Sequence, residues 1–206
     1  MKHFSAAIAL VSVAALITGC STPTSSGAPT PAVPTSIPTA LSSESTAPRV
    51  PAVSDPLEID ALLDEPCSSL TADQIIEYLG ENAETKRSES EIAGPSCSWH
   101  ADMGSDAEIA VTYPQLTDDG LAALYRNSYK HAYFLEAPSV SGYPAISYGI
   151  LDNRDKGECL ITVGTSDSDY VNVDVYLGHH SVGRKDPCDA AHEVATDVID
   201  NIKATD

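Results

Sequence analysis

Cys159-Leu160-Ile161-Thr162-Val163 and Tyr170-Val171-Asn172-Val173-Asp174-Val175-Tyr176-Leu177 decide the fold of this chain. Apolar and polar side chains alternate through both stretches. This period of two turns one face of a strand to a core and the other toward water. Between them lies Gly164-Thr165-Ser166-Asp167-Ser168-Asp169, made of residues that favour turns. The two stretches therefore form a β-hairpin with one buried and one wetter face.

Downstream, Asp186-Pro187 caps and opens a last helix, in which Ala191, Val194, Ala195, Val198 and Ile202 make one apolar stripe. Upstream, residues 143–147 read as a strand. Residues 118–132 read as a helix carrying Leu121, Leu124, Tyr125 and Ala132 at helical spacing. Residues 97–100 and 108–113 are two more strands around a polar turn, and Pro114 closes the second. The first helix starts at Leu70-Thr71-Ala72-Asp73-Gln74-Ile75, with Thr71 as cap and Gln74 returning the bond, and Gly80 ends it. The order α-β-β-α-β-β-β-α gives an α+β fold, a mainly antiparallel sheet packed with helices.

These elements fill one domain, residues 57–206. Residues 20–56 are rich in Ser, Thr, Pro and Ala and lack the large apolar groups that offset chain entropy. They read as a disordered, semi-stiff tether and a candidate for O-glycosylation. Residues 1–19 carry an apolar run that is too short to span a bilayer and ends at Leu16-Ile17-Thr18-Gly19-Cys20. This is a lipoprotein signal peptide. The Cys20 thiol takes the lipid and becomes the first mature residue, and its acyl chains, palmitate among them, anchor the protein stably to the membrane. The expected location is the cell membrane, on its extracytoplasmic side.

The formal charge is −19, and loss of the signal peptide makes the chain one unit more acidic. Nucleic acid and anionic lipid head groups are therefore poor partners, since like charge raises the cost of approach, and no nucleic acid is expected. With Cys20 lipidated, Cys67, Cys97, Cys159 and Cys188 remain, an even number in an exported chain, which points to two disulfides. Three connectivities are open. Two nearly equal local loops, Cys67 with Cys97 and Cys159 with Cys188, would each join a strand to the start of a helix.

Glu65-Pro66-Cys67-Ser68-Ser69-Leu70-Thr71, Cys97-Ser98-Trp99, Val140-Ser141-Gly142-Tyr143-Pro144-Ala145 and Asp186-Pro187-Cys188 together resemble an actinobacterial lipoprotein family, domain of unknown function 3558. Glu65 stands where that family's pattern has Asp. The resemblance implies a surface lipoprotein of the cell envelope and carries over no catalytic residue.

Motifs of nucleophilic, metal-hydrolytic, phosphate-binding and dinucleotide-binding chemistry are absent, so no catalytic, cofactor-binding or metal-ligating residue is expected. His179-His180 near Asp186, with His192-Glu193 beyond, and the acidic turn of Asp152, Asp155 and Glu158 lack metal-ligand spacing and read as solvated loops. Tyrosine is abundant where phenylalanine is scarce. Tyr125, Tyr129, Tyr133, Tyr143 and Tyr148 are candidate walls of a ligand cleft between the second helix and the sheet, since a phenol serves both apolar surface and hydrogen-bonding ligand. The favoured function is non-enzymatic binding of a small amphiphilic envelope ligand, a lipid or a glycan. A protein-interaction or structural role at the envelope is the alternative, and a hydrolase ranks last.

Overall fold

The structure is a computed structural model that describes residues 50–102 and 104–205. The signal peptide, Cys20 and the tether up to residue 49 lie outside the described residues. The hairpin that opened the reading is the centre of a sheet. Strands β6 (Glu158–Gly164) and β7 (Tyr170–Tyr176) pair from Glu158 opposite Tyr176 to Gly164 opposite Tyr170. Their turn is tied by Ser166 and Ser168, whose hydroxyls both donate to Asp169 Oδ2 at 2.7 and 2.6 Å.

Around this hairpin the described residues form one sheet of seven strands, all antiparallel to their neighbours. On the β7 side lie β3 (Glu108–Thr112), β2 (Gly94–His100) and the edge strand β1 (Glu84–Ser90). On the β6 side lie β5 (Tyr143–Gly149) and the other edge strand, β4 (Tyr133–Val140).

One face carries the main core. Cys97, Trp99, Ile109, Val111, Ile161, Val163, Val171, Val173 and Val175 meet helix α4 (Pro187–Thr205) through Ala191, Val194, Val198 and Ile202, all buried. The period of 3.6 read in the sequence places that stripe on the sheet. The short α1 (Asp60–Asp64), a 3₁₀ turn at Pro66–Ser69 and α2 (Ala72–Leu79) complete this layer. Thr71 caps α2 with the full capping box to Gln74, and Gly80 follows its last turn at φ 92°. Three hydrogen bonds tie α2 to α4, Tyr78 OH to Asp197 Oδ2 at 2.7 Å, Asn201 Nδ2 to Gln74 Oε1 at 2.8 Å and Gln74 Nε2 to Asn201 Oδ1 at 3.5 Å.

The disulfides are local, Cys67–Cys97 and Cys159–Cys188, and each fastens a helical N-terminal segment to a strand of the main-core face. Trp99 is fully buried in the same layer as Cys97, with its Nε1 unpartnered. The folded part begins before residue 57. Val53 is buried and its amide donates to Asp167 Oδ1 at 3.1 Å, ahead of Leu57, which bonds to the Thr165 carbonyl.

Three elements differ from the sequence reading. The helix expected at 118–132 is only α3 (Gly120–Arg126), followed by a 3₁₀ turn at Ser128–Lys130. Asn127 stops it, donating its side-chain amide to the Ala123 carbonyl at 2.8 Å. Tyr133 and Phe134 then open strand β4, which the sequence reading did not expect. Strand β1 was not expected, because all seven of its residues are exposed and it has no apolar alternation to read. Among the described residues no helix is long and apolar enough to cross a membrane.

Candidate functional site

The tyrosines do not line one cleft. Tyr125 is buried under α3, edge-on to Phe134 at 5.1 Å between ring centroids, in a small second core with Leu121, Ile146 and Tyr170. Tyr143 belongs to the main core and Tyr129 is 79% exposed. Between the second helix and the sheet, Tyr125 borders a cavity of about 340 Å³ with Pro51, Glu136, Ala137 and Pro144, and no other of the five tyrosines lines it. Tyr133 and Tyr148 do share a cavity of about 300 Å³ with Leu160 and Asp174. Burial pushes the Tyr148 phenol up to about 12.

A larger groove, about 430 Å³, opens on the main-core face between the β4 edge and the N-terminus of α4. The pairing register explains it. Leu135 lies opposite Ser147 and Ala137 opposite Ala145, so this corner of the face carries mostly small side chains, while α4 rests on β6 and β7. Ser147 and Ile161 make the floor, and Leu135, Ala137 and Pro138 one wall. The opposite wall is the first turn of α4, with Asp186, Pro187, Cys188, Asp189 and His192. The Cys159–Cys188 bridge pins that turn to β6, so the groove width is fixed by a covalent bond.

Three polar side chains around the groove are engaged by neighbours. Ser147, 4% exposed, places its hydroxyl 3.3 Å from Cys159 Sγ. The Pro138 carbonyl can only accept, so His192 Nε2 donates to it at 3.2 Å and links α4 to β4. Arg154 grips Asp152 with two nitrogens, Nε at 2.8 Å and Nη2 at 2.7 Å, and its guanidinium lies 4.1 Å from the Tyr133 ring centroid. Gly149 makes room for that ring, since a Cβ there would come within 2.7 Å of Tyr133 Cε1. Apolar walls with few convergent polar groups, in a cavity of this size, are the common form of a small-molecule site.

Elsewhere the polar clusters are less organised. His179 and His180 stack their rings at 3.9 Å, and His179 Nδ1 is 3.6 Å from Asp106 Oδ2. Among the described residues no group of three His, Cys, Asp or Glu side chains is arranged to hold a metal ion. On the open sheet face, Asp174 sits between Ala110 and Leu160 in register, with its Oδ1 closed to solvent and unpartnered. Burial first, then the Glu158 and Glu108 carboxylates, push its pKa up to about 7.

The sequence reading had Asp186, Cys188 and His192 in view, but as a cap, a bridge and a loop imidazole. It did not assign Leu135, Ala137, Pro138, Ser147 or Arg154 to a site. The available signal was the pair of small residues facing the core from neighbouring strands, visible only once β4 is known to be a strand. Among comparisons with known proteins, a family model described as a protein of unknown function, DUF3558, matches residues 15–201. No curated protein and no solved structure matches.

Proposed function

The chain belongs to the DUF3558 family of proteins of unknown function, and from that premise we propose that it is a membrane-anchored, extracytoplasmic, non-enzymatic module that holds a small amphiphile in the groove between β4 and α4. The observation that carries this reading is the groove itself, about 430 Å³ of mostly apolar wall held at fixed width by a disulfide. The ligand's apolar part would lie on Leu135, Ala137, Pro138 and Ile161, and its head would sit at the rim. The Leu16-Ile17-Thr18-Gly19-Cys20 signal supports lipid anchoring, and two disulfides suit an oxidising compartment outside the cytoplasm. The non-enzymatic reading is supported by the engagement of the groove's hydroxyl and imidazole. Ser147 faces a disulfide sulfur and His192 donates to a carbonyl, so neither activates the other.

The test is native mass spectrometry of the exported chain carrying Cys20→Ser, which frees it from the membrane. An excess mass that leaves on denaturation, and that diminishes in Leu135→Gln, is expected; Leu135 is 46% exposed, so that variant keeps its fold. A bare polypeptide mass, with no uptake of added amphiphile, would overturn the reading. The second reading, protein interaction at the envelope, is favoured by Ile150 and Leu151, adjacent and 77% and 70% exposed just after β5. Cross-linking through a probe placed at Leu151 would then capture one reproducible neighbour in the cell.

A further inference from the structure

We infer that the groove selects an amphiphile with a positively charged head, an alkylammonium rather than a carboxylate or a phosphate; this rests on the reading that the groove is the binding site. The wall formed by α4 would ordinarily favour an anion, because a helix N-terminus leaves its first amides unbonded. Here that receptor is filled by the chain itself. Pro187 has no N–H. Asp186 Oδ1 accepts from the Cys188 amide at 2.8 Å and from the Asp189 amide at 3.4 Å, and the Ala190 amide bonds to the Asp186 carbonyl. No donor of the first turn is left for a ligand oxygen.

The cationic side chains are spent in the same way. Both Arg154 nitrogens that face Asp152 are committed to that carboxylate, and the plane of the guanidinium rests on Tyr133. The Asp152 carboxylate thus balances the charge that an anionic head would seek. His192 gives its Nε2 proton to Pro138. What remains at the rim is negative. The Asp189 carboxylate has no hydrogen-bond or ion-pair partner among the described residues, and the capping role of Asp186 uses one of its two oxygens. Glu136 alternates with the groove residues Leu135 and Ala137 and accepts from Tyr125 in the second core, so it adds no charge to this mouth. With a chain charge of −19 behind it, the rim attracts a cation and repels an anion. An apolar slot with an acidic mouth is complementary to an alkyl chain that ends in an ammonium group.

The experiment compares three probes with the same twelve-carbon chain, dodecyltrimethylammonium, dodecyl maltoside and dodecyl phosphate. Each is titrated below its micelle concentration into the exported Cys20→Ser chain by isothermal calorimetry. The near-ultraviolet signal of buried Trp99 verifies that the fold is intact throughout. The ammonium probe should bind about threefold to tenfold more tightly than the maltoside, as one or two exposed charge pairs allow, and the phosphate most weakly. Added salt should erase the difference. Asp189→Asn should weaken the ammonium probe more than the maltoside. Equal binding of ammonium and maltoside, or tightest binding of the phosphate, would overturn the charge selection while leaving the groove as a binding site. Failure of all three to bind would overturn the groove reading and this inference with it.

Discussion

Asp174→Asn should make this protein more stable above neutral pH and leave it unchanged in mild acid. Asp174 lies in the middle of the sheet, where its neighbours in register, Ala110 and Leu160, offer no polar partner and its Oδ1 is closed to water. Burial, with Glu158 and Glu108 on the flanking strands, raises its pKa to about 7. In the unfolded chain an aspartate titrates at about 3.9. Between those values the folded state keeps a proton that the unfolded state has released, so stability falls as pH rises through the window. At about 1.4 kcal/mol per pH unit, the loss accumulates to about 4 kcal/mol above pH 7, less whatever water reaching the other oxygen restores. Asparagine matches the neutral acid in shape and never ionises. Urea unfolding of both proteins should give coincident midpoints near pH 5 and a variant more stable by about 2 to 4 kcal/mol near pH 8. Acid effects of the other carboxylates are common to both chains and cancel in the difference. A difference that does not change with pH, or a variant less stable at pH 8, would refute the assignment of a raised pKa to this residue.

Replacing Cys159 and Cys188 with Ala should cost about 3.5 kcal/mol of stability, as should replacing Cys67 and Cys97, since the two loops are nearly equal. Only the first pair should also weaken binding of a dodecyl probe, because only that bridge holds a groove wall; equal loss in both variants would count against the groove. Gly94→Ala should destabilise by more than about 2 kcal/mol in urea unfolding, because φ is +87° there and a Cβ would run into the Tyr113 carbonyl oxygen. Thr71→Ala should cost about 1 kcal/mol through loss of the capping box on α2, measured the same way. Cys20→Ser should abolish incorporation of labelled palmitate and release the chain into the medium; retention on the membrane would refute lipid anchoring through that thiol.

The legible parts of the fold were those where one residue type has one structural use. Alternating valines gave β7, Thr71 with Gln74 gave the start of α2, and Asp186-Pro187 gave the start of α4. Strand β1 was invisible for the opposite reason. Its Lys86, Arg87 and Glu89 bury nothing, and the strand exists because its backbone pairs with β2 at the sheet edge, where charge discourages further pairing. Strand β4 was hidden by its neighbour. Leu121, Leu124 and Tyr125 set up a helical spacing that Ala132 continues by coincidence, up to the edge of β4, and the break before it depends on Asn127 bonding back to Ala123.

The five candidate cleft tyrosines are dispersed once the chain is folded. Reading along the chain gives weight to large residues, so five tyrosines looked like walls. In the folded protein three of them, Tyr125, Tyr143 and Tyr148, are packed into cores. A cleft is made by atoms that are missing, and here the missing volume belongs to Ala137 and Ser147, two unremarked side chains on neighbouring edge-side strands. Its far wall is set by α4, which the Cys159–Cys188 bridge and the His192 bond to Pro138 hold to β6 and β4. Neither partner is near the other in sequence. The chemistry at the mouth follows from the same long-range geometry. Asp186 could be read locally as a cap, but only the fold brings it beside a groove, where capping the helix also removes a feature that would have welcomed an anion.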